Sequence, residues 1–228
     1  MPTSLMTGGR APVLARALRV YREKGLAGVW FGALARAGYR RLVALERPLD
    51  EPVVAPQARV EAQVRPLDAA DADACAALGQ IAAGEFRGEL ERGRACWGAW
   101  CDGGLRHVQW VAFTNAWVEH LGCGLLLDGD AAYVYRAFTE PRYRGLGLTP
   151  ATQAACLPAL RERGYRLAVC AVVPENPWAF TPWLRVGYRR TGVLRSVGLG
   201  GRRRAWFSSD RGVAAPRRWR VDVGATRP

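Results

Sequence analysis

The stretch Pro141-Arg142-Tyr143-Arg144-Gly145-Leu146-Gly147-Leu148-Thr149 lies between a pattern typical of a strand and a pattern typical of a helix. Just before it, Ala131–Thr139 is rich in tyrosine, valine and phenylalanine, which favours a strand. Residues 148–163 have apolar side chains at helical spacing and end at Gly164, a residue type common just after helices. The stretch is therefore predicted to form a glycine-containing turn from a strand into a helix.

A turn of this kind can bind an anion. Glycines let backbone N–H groups approach a phosphate closely, and the positive end of the helix dipole adds a favourable field. The alternative is that the glycines serve only the geometry of a tight turn. Two other phosphate-binding motifs are excluded, because the G-x-G-x-x-G spacing is missing and no Gly-Lys-Ser/Thr follows.

The elements around this turn predict an α+β domain with the order β-α-α-β-β-β-α-β-α-β-β. On the N-terminal side we predict a strand at 60–66, helices at 68–83 and 84–93, and a hairpin of 96–101 and 105–114 around Asp102-Gly103-Gly104. Residues 115–130 are less regular and contain at most a short strand. On the C-terminal side we predict a strand at 167–173, a helix at 176–186 with Asn176 as its N-cap, and strands at 188–194 and 204–208.

The chain resembles the GNAT superfamily of acyl-CoA-dependent N-acyltransferases in three features, which occur along the chain in the family's order. Arg144-x-x-Gly147-x-Thr149 is similar to the family's Q/R-x-x-G-x-G/A loop, and a strand precedes it directly. The third match is to the family pattern N-x-x-A followed by G-F/Y, at Asn176, Ala179, Gly187 and Tyr188. The resemblance spans about residues 60–208 and implies a mixed, mostly antiparallel sheet flanked by helices.

The resemblance also implies a binding mode for acetyl-CoA, the expected donor. The family has a V-shaped opening between two strands, here residues 131–139 and 167–173. Pantetheine is then expected along the backbone of Ala137 and Thr139, with Asn176 facing it. The pyrophosphate is expected on backbone N–H groups of the loop, at Arg144, Gly145, Leu146, Gly147, Leu148 and Thr149. An amine attacks the thioester directly, and no metal is required.

The sequence departs from the family pattern at two positions. Thr149 stands where the family prefers glycine or alanine, and Trp183 stands where it often has a general-acid tyrosine. The base is left open: Glu119, Glu140, Tyr135 and His120 lie in or near the strand before the loop. For each of them the alternative is a solvated charge or a packed ring. Glu119 is placed first because it interrupts an otherwise apolar stretch.

Charge is unevenly distributed along the 228 residues, which carry a net charge of +13. Residues 1–50 carry +6 and residues 195–228 carry +7, whereas residues 51–194 are neutral. This distribution argues against a domain whose whole surface binds nucleic acid. The composition is 50% hydrophobic and 23% charged, which is typical of a globular protein.

The charge pattern and the prolines suggest four parts. We predict a basic amphipathic helical arm at 1–47, in which residues 11–45 are helical, and a proline-rich linker at 48–58. A GNAT-like domain at 59–208 and a basic C-terminal tail at 209–228 follow. The arm is predicted either to pack on the domain or to contact an anionic membrane or a partner through residues 10–47.

Other features bear on location and metal binding. No uncharged run is long enough to span a membrane, and the N-terminus lacks the layout of a secretory signal. Six scattered cysteines and two histidines have no zinc-site spacing and suggest buried thiols in a reducing compartment. These observations predict a cytoplasmic protein, with a peripheral membrane location as the alternative.

The predicted activity is transfer of an acetyl or other short acyl group from acyl-CoA to a primary amine. The acceptor is expected to be a small molecule or an envelope or polysaccharide precursor, since the stretch 132–150 resembles a GNAT subgroup associated with such compounds. The alternative is a catalytically weak GNAT-like module whose basic ends bind nucleic acid or an anionic membrane. The sequence leaves the oligomeric state open.

Overall fold

A computed structural model describes residues 34, 38–54, 57–199, 202–210 and 219–225. Within these residues the chain forms eleven strands and four α-helices. The strands are β1 (Tyr39–Pro48), β2 (Gln63–Leu67), β3 (Ala95–Cys101), β4 (Gly104–Ala112), β5 (Ala116–Val118), β6 (Cys123–Leu126), β7 (Ala131–Thr139), β8 (Leu167–Val172), β9 (Arg189–Leu199), β10 (Arg202–Ser209) and β11 (Arg220–Asp222). The helices are α1 (Ala72–Ala77), α2 (Ala83–Glu91), α3 (Leu148–Glu162) and α4 (Pro177–Arg185).

The core of the fold is an eight-stranded sheet in the order β10-β9-β1-β8-β7-β4-β3-β2. Only β7 and β8 pair in parallel, and the other neighbours are antiparallel. One face packs against α3 and α4, and the other packs against α1, α2 and a small sheet of β11, β6 and β5. The predicted mixed, mostly antiparallel sheet with flanking helices is confirmed.

Local sequence signals explain several elements. The hairpin of β3 and β4 turns at Asp102 and Gly103, which both have positive φ, as a two-residue turn requires. The strand prediction for residues 131–139 matches β7 at both ends. The helix predicted at 68–83 is shorter than expected: a 3-10 turn precedes α1, and the chain leaves the helix before Gly79, whose φ is +70°.

The helix predicted at 11–45 is wrong from Tyr39 onward, because Tyr39–Pro48 is strand β1. This strand lies inside the large sheet, where Val43 pairs with Val172 of β8 on one side and Val193 of β9 on the other. Residues 42–45 are at most 4% exposed. A strand buried on both faces has a continuous apolar run without alternation, and such a run resembles a helix segment. The rest of the predicted helix, apart from Leu34, lies outside the described residues.

The segments predicted as linker and tail also contribute to the body. After β1, Leu49 is buried and Val53 packs against the core on the α3 side. At the other end of the chain, β11 pairs with β6 and Trp219 is 4% exposed, so residues 219–222 belong to the packed body rather than to a tail. The proposed division of the remaining residues stays a prediction. Within the part of the chain that the structure describes, no helix has the length and hydropathy needed to cross a bilayer.

Candidate functional site

The parallel strands β7 and β8 separate partway along their length. They pair only at Ala131 with Leu167, Ala132 with Ala168 and Tyr133 with Val169. Beyond this point β7 continues to Thr139, while β8 runs on to Val172 in contact with β1. From residue 134 onward, the edge of β7 toward β8 therefore has no strand partner among the described residues. This gap between the two strands corresponds to the V-shaped opening that the family resemblance implies.

The free part of β7 contains a bulge. Trp110 of β4 pairs with Tyr135 and Val108 pairs with Phe138, so Arg136 and Ala137 together oppose a single residue. Arg136 has a φ of +46°, in the left-handed region that side chains rarely adopt. Bulges bend a strand and redirect its side chains, and backbone strain clusters at functional sites. Both Arg136 and Ala137 are exposed.

The loop after β7 leads into α3 through two glycines with positive φ. Gly145 has a φ of +77° and Gly147, the N-cap of α3, has a φ of +86°. No side chain caps α3, so its first backbone N–H groups, at Leu148 and Thr149, are the groups that a helix start leaves for an anion. A Cβ at Gly147 would also lie 3.2 Å from the Cα of Ala58, which is tighter than an ordinary van der Waals contact.

The other residues predicted to bind the donor lie around this loop and gap. The Arg144 Nε donates a hydrogen bond to the carbonyl oxygen of Thr139 at 3.2 Å, so the loop arginine folds back onto the end of β7. The hydroxyl of Thr139 is 2.8 Å from Nδ1 of His107. Asn176 is exposed at the start of α4, and its side chain does not cap that helix. Their roles toward a donor remain predictions.

Glu140 anchors the loop to the β3–β4 hairpin. Its carboxylate accepts a hydrogen bond from the Arg106 guanidinium at 2.8 Å. Beside this pair, the Tyr143 hydroxyl donates to Asp102 at 2.7 Å. Glu140 thus has a positioning contact that the sequence did not predict, and its role as a base stays untested.

Glu119 and Tyr135 meet in one polar cavity of about 200 Å³. The cavity is lined by three glutamates, three arginines and two aromatic residues: Glu85, Glu89, Glu119, Arg92, Arg94, Arg136, Trp117 and Tyr135. Arg136 of the bulge reaches Glu119 at 3.4 Å and Glu85 at 3.8 Å. The structure therefore brings two of the three predicted catalytic residues together.

Burial makes the Tyr135 phenol a weaker acid than a free tyrosine. Desolvation raises its pKa to about 12, while the nearby Arg94 opposes this shift. The ring stacks on Tyr133 with centroids 5.4 Å apart. At neutral pH this phenol keeps its proton, so it can donate a hydrogen bond or a proton but is a poor base.

A row of buried polar side chains lies under α3, on the face of the sheet opposite the polar cavity. Gln153 of α3 donates a hydrogen bond to Gln109 of β4 at 2.8 Å and accepts one from the Tyr188 hydroxyl at 3.2 Å. His107 and Gln109 are fully buried on β4. This row was not predicted from the sequence, although the two polar residues that alternate within the apolar run 105–114 were a usable signal.

Trp183, at the position of the family's general-acid tyrosine, belongs to the same core. It is 6% exposed and contacts Tyr188 edge-to-face, with ring centroids 5.2 Å apart. Its ring therefore packs in the interior on the α3 side of the sheet. The polar cavity lies on the opposite face, so Tyr135 is the tyrosine available there.

His107 makes the stability of the fold depend on pH. Burial lowers its pKa to about 4, whereas an unfolded histidine titrates near 6.5. The unfolded chain then binds the extra proton first, so the unfolding free energy decreases as pH falls from about 6.5 to about 4. Between pH 7 and pH 5 we expect a loss of about 2 kcal/mol from this residue. Urea titrations of the wild type and of His107→Gln at both pH values measure this loss of unfolding free energy. An equal loss in the two proteins would mean that His107 is not its source.

Comparison with known proteins supports the fold. No protein-family model and no curated protein matches the sequence. Among solved structures, the chain is similar to the GCN5-related glucosamine N-acetyltransferase region of a fungal multi-domain β-N-acetylglucosaminidase. The TM-score is 0.50 at 14% identity, over 74% of this chain and 22% of the fungal protein.

Two further structures show weaker similarity. A GNAT-family protein of Novosphingobium aromaticivorans has a TM-score of 0.48 at 20% identity, over 69% of this chain and 65% of that protein. A Clostridium acetobutylicum protein solved with acetyl-CoA has a TM-score of 0.39 at 14% identity, over 57% and 90%. This chain thus spans less than two thirds of the fungal and Novosphingobium proteins. The strand order, the separated parallel pair and the fungal match together show that the chain has the GNAT fold.

Proposed function

We propose that this protein is an N-acyltransferase that moves an acyl group from acyl-CoA to a primary amine. The observation that carries the proposal is the free edge of β7, which ends at a loop leading into an uncapped helix. A strand edge without a partner offers N–H and C=O groups to an extended, amide-containing arm. The start of α3 offers N–H groups to a pyrophosphate.

The two features match the two ends of one ligand. The edge of β7 and the start of α3 are separated by the loop 140–147. A CoA thioester has amides in its pantetheine arm and two phosphates beyond them, in the same order. One adjustment is required, since the Arg144 side chain now bonds the carbonyl of Thr139. We expect that arginine to turn toward the phosphates when the donor binds.

The polar cavity beside the bulge supplies the groups for acyl transfer. An amine attacks the thioester carbonyl, the C–N bond forms, the C–S bond breaks, and the thiolate leaves. Tyr135, protonated at neutral pH, can donate a hydrogen bond that stabilises that thiolate as it leaves. Glu119 lines the same cavity as Tyr135 and can accept the ammonium proton. Most of the rate enhancement then comes from holding the two reactants together.

The cavity pairs its three glutamates with three arginines, so its lining suits a polar acceptor rather than a strongly charged one. These carboxylates and guanidinium groups can hydrogen-bond hydroxyl groups, and the aromatic walls of Trp117 and Tyr135 suit a ring. The fungal protein region is named as a glucosamine N-acetyltransferase. An amino sugar is therefore the first acceptor to test, before polyamines and amino acids.

Gly145 gives the sharpest test of the phosphate site. Asparagine and aspartate tolerate left-handed backbone better than other side chains, and no atom lies within 4 Å of a Cβ at this position. Gly145→Asn and Gly145→Asp therefore have nearly the same shape and differ by one negative charge. We expect Gly145→Asp to bind CoA about tenfold more weakly than Gly145→Asn, because a carboxylate opposes the pyrophosphate.

Isothermal titration with CoA measures this difference, and melting curves check that both variants fold. Equal CoA affinities in the two variants would exclude the loop as the phosphate site. Release of free thiol from acetyl-CoA, with an amino sugar present, then tests transfer itself. If CoA binds but no amine in a broad panel releases thiol, the protein is a CoA-binding module without transferase activity.

A further inference from the structure

A second cavity lies beside the bulge of β7, on the same face of the sheet as the polar cavity. It measures about 220 Å³ and is lined by Cys75, Gln80, Ile81, Val108, Trp110, Arg136, Ala137 and Phe138. Four of these residues are between 2% and 8% exposed: Cys75, Trp110, Val108 and Ile81. Gln80, Arg136 and Ala137 are exposed. The cavity thus has an apolar floor and a rim that reaches solvent.

The rim coincides with the part of β7 that has lost its pairing with β8. That pairing ends at Tyr133, so Ala137 lies well within the free stretch. Arg136 lines both this cavity and the polar one. The bulge therefore stands between a charged space and an apolar space, at the strand edge where a thioester is expected.

We propose that the apolar cavity receives the acyl chain of the donor, and that the preferred donor carries a chain longer than acetyl. This inference rests on the proposed function, because it takes the thioester to lie beside the bulge. Attack still joins the acceptor nitrogen to the acyl carbon and releases CoA thiol. The polar cavity then holds the amine, and the apolar cavity holds the chain.

The size and lining of the cavity support this assignment. An apolar floor that is open to solvent next to a reaction site suits an apolar group of the ligand. An acetyl group has a single methyl carbon beyond its carbonyl and would leave most of the space empty. Each additional methylene that becomes buried strengthens binding about fourfold.

A chain-length series tests the proposal on the wild-type protein. Titration calorimetry with CoA, acetyl-CoA, butanoyl-CoA and hexanoyl-CoA gives four dissociation constants. We expect hexanoyl-CoA to bind at least about tenfold more tightly than acetyl-CoA, with butanoyl-CoA between them. Equal or weaker binding of the longer chains overturns the inference. Absence of binding by CoA itself instead overturns the proposed function.

A variant that fills the cavity distinguishes binding of the acyl chain in this pocket from nonspecific binding of the chain to apolar surface. Ile81→Phe places a larger, aromatic side chain against the floor of the cavity. We expect it to abolish the tighter binding of hexanoyl-CoA, while the affinity for acetyl-CoA stays within about twofold. Leu199→Phe is the matched control, since Leu199 is 71% exposed at the far end of β9. This variant should leave all four dissociation constants unchanged. A gain that survives Ile81→Phe would show that the chain binds elsewhere. Ile81→Ala, which enlarges the cavity, should shift the preference to still longer chains if Ile81→Phe fails to fold.

Discussion

A protein lacking residues 1–48 is expected not to fold. Strand β1 pairs with β8 over six residues and with β9 over eight, in the middle of the large sheet. Its side chains contribute to both cores: Val43 and Leu45 on the α3 side, Leu42 and Ala44 on the other. Removing the strand leaves two unpaired edges and opens both cores. Expression of residues 49–228 should give insoluble protein, or a chain without a cooperative thermal transition.

A point substitution tests the same feature without shortening the chain. Leu45 is fully buried, so Leu45→Asp places an unpaired carboxylate in the core and should cost about 4 kcal/mol or more. Val54→Asp is the matched control, because Val54 is 78% exposed and the change should cost less than about 0.5 kcal/mol. Urea denaturation followed by circular dichroism measures both. Wild-type stability in Leu45→Asp would mean that residues 39–48 are not an inner strand.

The second large effect is expected at Trp219, close to the C-terminal end of the described residues. Its ring is 4% exposed and stacks on Phe207, with centroids 6.0 Å apart. Its indole N–H donates a hydrogen bond to the Glu46 carboxylate on β1. Trp219→Ala removes the ring and leaves the half-buried carboxylate without that donor. We expect a loss of about 3–5 kcal/mol in unfolding free energy.

Trp206 offers a control of the same residue type. It is 40% exposed on β10, so Trp206→Ala should cost less than about 1 kcal/mol. Thermal and urea unfolding of the two variants compare a buried tryptophan with an exposed one. Similar losses for both would show that residues 219–222 do not dock against the sheet as described.

The sequence predicted the second half of the fold well because its signals are local. The turn 141–149, the strand β7 and the helices α3 and α4 follow from glycines, the proline that begins α4, and apolar spacing close together in the chain. Strand β1 was not predicted as a strand, because its partners are far away in sequence and both of its faces are buried. Only tertiary pairing distinguishes such an apolar run from a helix.

The candidate site was predictable in outline but not in its contacts. The glycines of the loop and Asn176 belong to recognisable motifs, so a donor side can be proposed from the sequence, and its residue roles stay predictions. The bulge at Arg136, the contact between Glu140 and Arg106, and the grouping of Glu119 with Tyr135 depend on register between distant strands. No local pattern encodes that register.

The inner position of β1 has a consequence for synthesis on the ribosome. Its partner residues in β8 follow about 130 residues later, so at ordinary elongation rates the strand waits on the order of ten seconds for them. During that time an apolar run such as residues 42–45 is prone to self-association. Arg40, Arg41 and Arg47 flank the run, and charges in such positions suppress aggregation of a nascent chain. The arginines around β1 are therefore placed where they would keep the growing chain soluble until β8 and β9 have been made.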